Sequence, residues 1–156
     1  MELSASAQKI FRKPPLLVIV PIIYFFLIIF SKWHLNLPIG SLLFFLGGLL
    51  GIYLLDIAEE IFAVKPSPFR TMMFVIGLGI IGFYTITSTR EMAASGLVLG
   101  LMVTIFLYQV SEWKIRKNLD SWYQMFFGEM SQTGQKIGLV LYALVLLFET
   151  FLFITG

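Results

Sequence analysis

Four stretches of this chain, Pro14–Ser31, Leu35–Leu55, Thr71–Thr89 and Met92–Ser111, contain no Asp, Glu, Lys, Arg or His. A fifth, Ile137–Gly156, is interrupted only by Glu149. Each is close to the roughly 20 residues that cross about 30 Å of hydrocarbon at 1.5 Å per residue. Backbone amides have no water to bond to in lipid, so such stretches must satisfy their hydrogen bonds internally, as helices. Composition agrees: 58% of the 156 residues are apolar and 13% charged, against about 25% charged in soluble domains. So few charges cannot coat a water-facing surface. The fold class expected is an all-α membrane protein with five transmembrane helices in one transmembrane domain over 1–156. The spans are placed at approximately 15–33, 39–62, 70–88, 92–113 and 137–155.

The first span is too long for the apolar region of a signal peptide, and no small-residue cleavage site follows it, so it is expected to be an uncleaved anchor. Pro14 and Pro15 suit the start of its helix, while Pro21 lies inside and is expected to kink it. Alternating spans put Lys9, Arg12, Lys13, Lys65, Arg70, Lys114, Arg116, Lys117 and Lys136 on one side, and only Lys32 and Arg90 on the other. The positive-inside rule then predicts a multi-pass protein of the cell inner (plasma) membrane, N-terminus cytoplasmic and C-terminus outside. Trp33 and Trp113 fall at the two predicted boundaries, where aromatic anchors belong. In the segment 118–135, Leu119, Trp122, Tyr123, Phe126 and Met130 recur at helical spacing. That pattern predicts a short interfacial helix anchored by Trp122 and Tyr123, before the fifth span.

A shift of 53 residues lays Gly47–Glu60 over Gly100–Trp113, matching Gly47 with Gly100 and Glu59 with Glu112 and overlaying Asp56 on Gln109. The expectation is two tandem helix hairpins, spans 1–2 and 3–4, related by an axis along the membrane normal. Asp56, Glu59, Gln109 and Glu112 would then line one polar pocket around that axis. Carboxylates gathered at one level share protons or bind a hard cation; singly, they are helix-end groups paired with nearby lysines and arginines.

Glu149 stands alone in an apolar helix, past the midplane. An intramembrane carboxyl is costly and therefore a candidate for ion, proton or substrate contact, with partners expected among Tyr24, Tyr84, Thr85, Thr87 and Arg90. Gly47-xxx-Gly51 and Gly96-xxx-Gly100 place small residues on one helix face and predict close helix packing. Gly77, Gly79 and Gly82 spell G-x-G-x-x-G, but inside a span, with no strand before them, the string signifies packing rather than a dinucleotide site.

Several classes drop out. The chain has no cysteine and only one histidine, His34, so neither a metal site nor a cofactor is expected. A net charge of +2, broken by apolar runs, excludes nucleic acid as a partner. Glu59–Glu60 lacks the arginine that follows such a pair in intramembrane glutamate proteases, since Val64 stands there. The expected function is a non-enzymatic integral membrane protein acting as an oligomer or as a subunit of a larger complex. Its partners would be the lipid bilayer and copies of itself or other membrane subunits. The alternative is a small cation- or proton-coupled transporter or channel using the acidic cluster of spans two and four. A weaker one is a lipid-modifying membrane enzyme.

Overall fold

A computed structural model of the chain describes Gln8 and residues 12–34, 36–124 and 129–156. Five helices are long and apolar enough to cross a membrane. They are α1 (Leu16–Trp33), α2 (Ile39–Phe62), α3 (Met72–Tyr84, continued by a π-helical turn, Thr85–Thr89), α4 (Met92–Arg116) and α6 (Gln132–Thr155). A single turn, α5 (Asp120–Tyr123), lies between the last two. No strand occurs among the described residues. The chain is thus an all-α, multi-pass membrane protein.

The helix ends follow local chemistry. Thr71 caps α3 by accepting from the Phe74 amide at 3.3 Å, and Ser131 caps α6 through Gly134 at 3.2 Å. The second cap starts α6 at Gln132 rather than near 137, because its polar first turn extends beyond the apolar run. The C-terminal ends of α1, α2 and α4 close on His34, Ala63 and Lys117, all left-handed, with φ of 46°, 47° and 60°. Each donates its amide to the carbonyl four residues back, the single-bond form of the left-handed C-cap. Pro21 is buried inside α1, and the helix continues through it.

Helix α4 sits at the centre. In its most apolar window 61% of residues are buried, against 28–39% in the other four spans, and it touches α1, α2, α3 and α6. Its closest neighbour is α2, which runs parallel to it. A Cβ placed on Gly47 would lie 2.0 Å from the Ala93 carbonyl oxygen, and one on Gly96 2.0 Å from that of Phe44. One turn further on, Gly51 meets the Leu97 oxygen at 2.3 Å and Gly100 meets that of Gly48 at 2.5 Å. Only glycine permits such an approach. The Phe25 ring of α1, fully buried, closes the junction from the side, against Gly48 and Gly100.

These contacts are locally two-fold, and they correct the register of the internal similarity. Gly47 and Gly51 correspond in space to Gly96 and Gly100, an offset of 49 residues rather than 53. Residues matched by identity therefore sit about one helical turn, or roughly 5.4 Å, apart in depth. The symmetry does not extend to whole hairpins: α1 packs on α2, α4 and α6, whereas α3 packs on α4 and α6.

The segment before α6 also departs from expectation. Leu119, Trp122 and Tyr123 are buried against protein instead of facing headgroups, and Phe126 lies outside the described residues. Gln135, in the first turn of α6, organises this plug. Its Oε1 accepts from the Leu119 amide at 2.7 Å, while its Nε2 donates to Asp120 Oδ1 at 2.5 Å and to the Met130 carbonyl at 3.1 Å. Trp33 and Trp113 remain near the helix ends. The first packs at 6.0 Å from the Phe44 ring, and the second lies under the Lys136 ammonium at 5.8 Å.

The glycine contact makes the first prediction. Gly47→Ala or Gly96→Ala forces two backbones apart and should cost about 1–3 kcal/mol, read as a lowered thermal midpoint in detergent. Gly77→Ala, where an added Cβ meets nothing within 4 Å, should stay within about 0.5 kcal/mol of the parent.

Candidate functional site

Lys13, Lys65, Arg70, Lys114, Arg116 and Lys136 mark one end of the bundle, and Lys32 and Arg90 the other. A cavity of about 430 Å³ opens at the basic end, lined by the segment before α1, the last turns of α2, the α2–α3 connection and Tyr108 of α4.

Its frame is two ion pairs. Pro14 and Pro15 carry the chain away from α1, so that Lys13 folds back over α2. There its ammonium donates to the Ile52 carbonyl and pairs with Asp56 Oδ2 at 2.7 Å. Tyr108 donates to Asp56 Oδ1 at 2.8 Å. The Lys13 side chain is 4% exposed and that of Asp56 18%. Burial pushes the Lys13 ammonium below the usual lysine range, against the opposing hydrogen bond and charge of Asp56. The second pair is bidentate: Arg70 Nε reaches Glu59 Oε1 at 2.6 Å, and its terminal NH2 reaches Oε2 at 3.0 Å. Ser67 adds a hydrogen bond to Glu59 Oε1 at 2.8 Å. Burial disfavours the Arg70 charge, but the hydrogen bonds and charge of Glu59 outweigh it and hold the group above the usual arginine value. The guanidinium lies 4.5 Å from the centre of the Tyr108 ring, a cation–π contact that joins the two pairs into one network.

The four-residue pocket expected at this end is not assembled. Asp56 and Glu59 share the cavity, but Gln109 and Glu112 do not line it. Helix phase is the reason: adjacent residues point about 100° apart, so Tyr108 faces Asp56 on α2 while Gln109 turns toward Met72 on α3. Gln109 is fully buried, and its Nε2 faces Met72 Sδ at 3.6 Å. Glu112 holds the plug, accepting from Ser121 at 2.7 Å and from the Trp122 indole at 2.8 Å, with Arg116 at 3.5 Å.

Glu149 lies in the opposite half. It is 1% exposed, and among the described residues its Oε2 has no hydrogen-bond partner. None of its expected partners reaches it. Tyr24 is bonded to Thr150 at 2.6 Å, and Thr85 and Thr87 turn back to the carbonyls of Ile81 and Phe83. The carboxyl rests instead against Gly82, where a Cβ would lie 2.4 Å from Oε2.

The sequence does not single out Lys13, Ser67 or Tyr108 as site residues, while Arg70 is among the nearby cations expected to pair with the helix-end carboxylates, as it does with Glu59. The one signal that finds them is pairing of each carboxylate near the end of α2 with a basic residue of an adjacent connection. No protein-family model, curated protein or solved structure matches this chain.

Removing one partner of a buried pair strands the other charge, so Asp56→Ala should destabilise the protein by about 3 kcal/mol. The double variant Lys13→Met/Asp56→Leu should recover most of that loss. Equilibrium unfolding in detergent measures both.

Proposed function

We propose that this chain is a non-enzymatic integral membrane protein, working as an oligomer or as a subunit of a larger membrane complex, whose basic-end cavity binds an anionic phosphate group. The observation that carries the ligand class is the commitment of Asp56 and Glu59, two of the three carboxylates on the cavity, the third being Glu60. Asp56 is neutralised by Lys13 and Glu59 by Arg70, which leaves neither available as a cation ligand or general base. Arg12 and Lys65, on the same cavity, have no ion pair or hydrogen bond from their side chains among the described residues. The two pairs form a neutral frame; Arg12, Lys65 and Glu60 are the remaining charged groups on the cavity, which leaves a net positive surplus at the depth of lipid headgroups. A phosphate there gains roughly 1 kcal/mol per basic residue. It can belong to an anionic lipid or to a soluble phosphate compound. The non-enzymatic reading rests on the same commitment of carboxylates.

The orientation supported by the charge bias puts this cavity on the cytoplasmic side of the cell inner membrane. Because the chain contains no cysteine, single cysteines at Asn36 and Lys114 report it directly. A membrane-impermeant thiol reagent added outside should label the first and not the second, and the reverse pattern sinks the assignment. For assembly, cross-linking in native membranes should trap a species larger than the monomer.

Phosphate binding is tested with the purified protein, comparing an anionic phospholipid, its zwitterionic counterpart and inorganic phosphate. The anionic lipid should bind most tightly if a headgroup is the ligand, and inorganic phosphate should compete if the group can be soluble. Arg12→Gln and Lys65→Gln should each weaken binding about fivefold, as expected for the loss of roughly 1 kcal/mol. With its ammonium below the usual lysine range, Lys13 discharges on alkalinisation before a solvated lysine does, so affinity should begin to fall there first. Equal binding of anionic and zwitterionic lipid, unaffected by either substitution, would remove the proposal.

A further inference from the structure

The other unexplained feature is Glu149 and the seam beside it. Helices α3 and α6 diverge to leave a cavity of about 480 Å³ between them, to which Glu149 contributes the acidic group. The remaining wall is apolar. Ile76, Ile80 and Phe83 on α3 and Leu141, Val145 and Phe148 on α6 border it while staying substantially exposed on the outer surface of the bundle. Such a surface faces lipid, so the seam opens sideways into the bilayer. Gly79 and Gly82 create the space: Gly79 has only Val145 at 3.8 Å and Glu149 Oε1 at 3.9 Å near its would-be Cβ.

The hydroxyls of Tyr24, Tyr142 and Thr85 are spent elsewhere. Tyr24 is bonded to Thr150, Tyr142 donates to the Met102 carbonyl at 2.6 Å, and Thr85 donates to Ile81. Lys32, the nearest spanning-segment ammonium in the same half, is held on the Phe153 carbonyl at 2.5 Å and lies 4.7 Å from that residue's ring centre. A buried carboxyl without a partner ionises only at high cost, and a counter-charge in the space beside it offsets part of that cost.

We propose that the α3–α6 seam is a binding site for a lipophilic ammonium or phosphonium, an organic cation with an apolar body that enters from the bilayer and sets its charge against Glu149. The apolar wall holds the body, and the carboxylate supplies the one charge that distinguishes this groove from plain lipid-facing surface. Selection is for positive charge with hydrocarbon bulk. Small hydrated cations gain nothing from the wall, and neutral lipids gain nothing from Glu149.

The test uses the full chain in zwitterionic lipid nanodiscs, titrated with tetraphenylphosphonium. Saturable one-site binding above the uptake by empty nanodiscs is expected. Glu149→Gln should weaken it at least tenfold. Gly79→Leu grows a side chain into the seam and should do the same, whereas Gly77→Leu, on open surface, should stay within twofold of the parent. Should Glu149→Gln fail to fold, the two glycine variants decide. A measurement on the unaltered chain stands beside them: dicyclohexylcarbodiimide should label Glu149, and the phosphonium should protect it. Uptake equal to empty nanodiscs, binding indifferent to both Glu149→Gln and Gly79→Leu, or labelling without protection would each overturn the proposal.

Discussion

The approach of α2 to α4 is the contact on which the rest of the molecule depends. Lipid tails are as apolar as leucine, so helices in a bilayer gain little by hiding hydrocarbon from their surroundings; packing at close range must hold them together. Gly47, Gly51, Gly96 and Gly100 let one backbone rest on the carbonyls of the other, where dispersion and weak Cα–H···O contacts are strongest. That contact places α4 at the centre and makes the slot that the Phe25 ring fills. It also sets the depth at which Asp56 faces Tyr108, and so the composition of the basic-end cavity.

The two ends of the bundle neutralise charge differently. At the basic end, carboxylates in the last turns of α2 take up cations from the connections on either side, so Lys13 and Arg70 tie the start of α1 and the approach to α3 to one helix terminus. At the opposite end, Lys32 has no carboxylate and rests on the carbonyl of Phe153, in the last turns of α6, where the helix dipole favours a cation. Both arrangements fasten elements that are distant in sequence.

The spans were legible because length and absence of charge are properties of each segment alone. The glycine pairs were legible for the same reason, since four-residue spacing defines a helix face. The cavity was not, because depth register is a relation between helices. Matching Gly47 to Gly100 by identity slides α4 by a turn relative to the way it packs, and which of the adjacent Tyr108 and Gln109 faces Asp56 depends on the rotation of α4 against α2. Trp122 and Tyr123 misled for another reason: an amphipathic stripe says that one face is apolar, not whether lipid or protein covers it. Glu149 was found by its isolation. Its surroundings were not, because the π turn at Thr85–Thr89 breaks the helical phase by which partners on α3 would be counted, and the threonines satisfy themselves on their own helix.

Among the described residues, α4 touches each of the other four spans. The two polar features lie at opposite ends of the bundle and on different flanks: the basic-end cavity beside α2 and Glu149 between α3 and α6. The seam beside Glu149 is bordered by exposed apolar side chains, whereas the basic-end cavity is bordered by charged ones. One polypeptide is thereby exposed to two chemically separate pools.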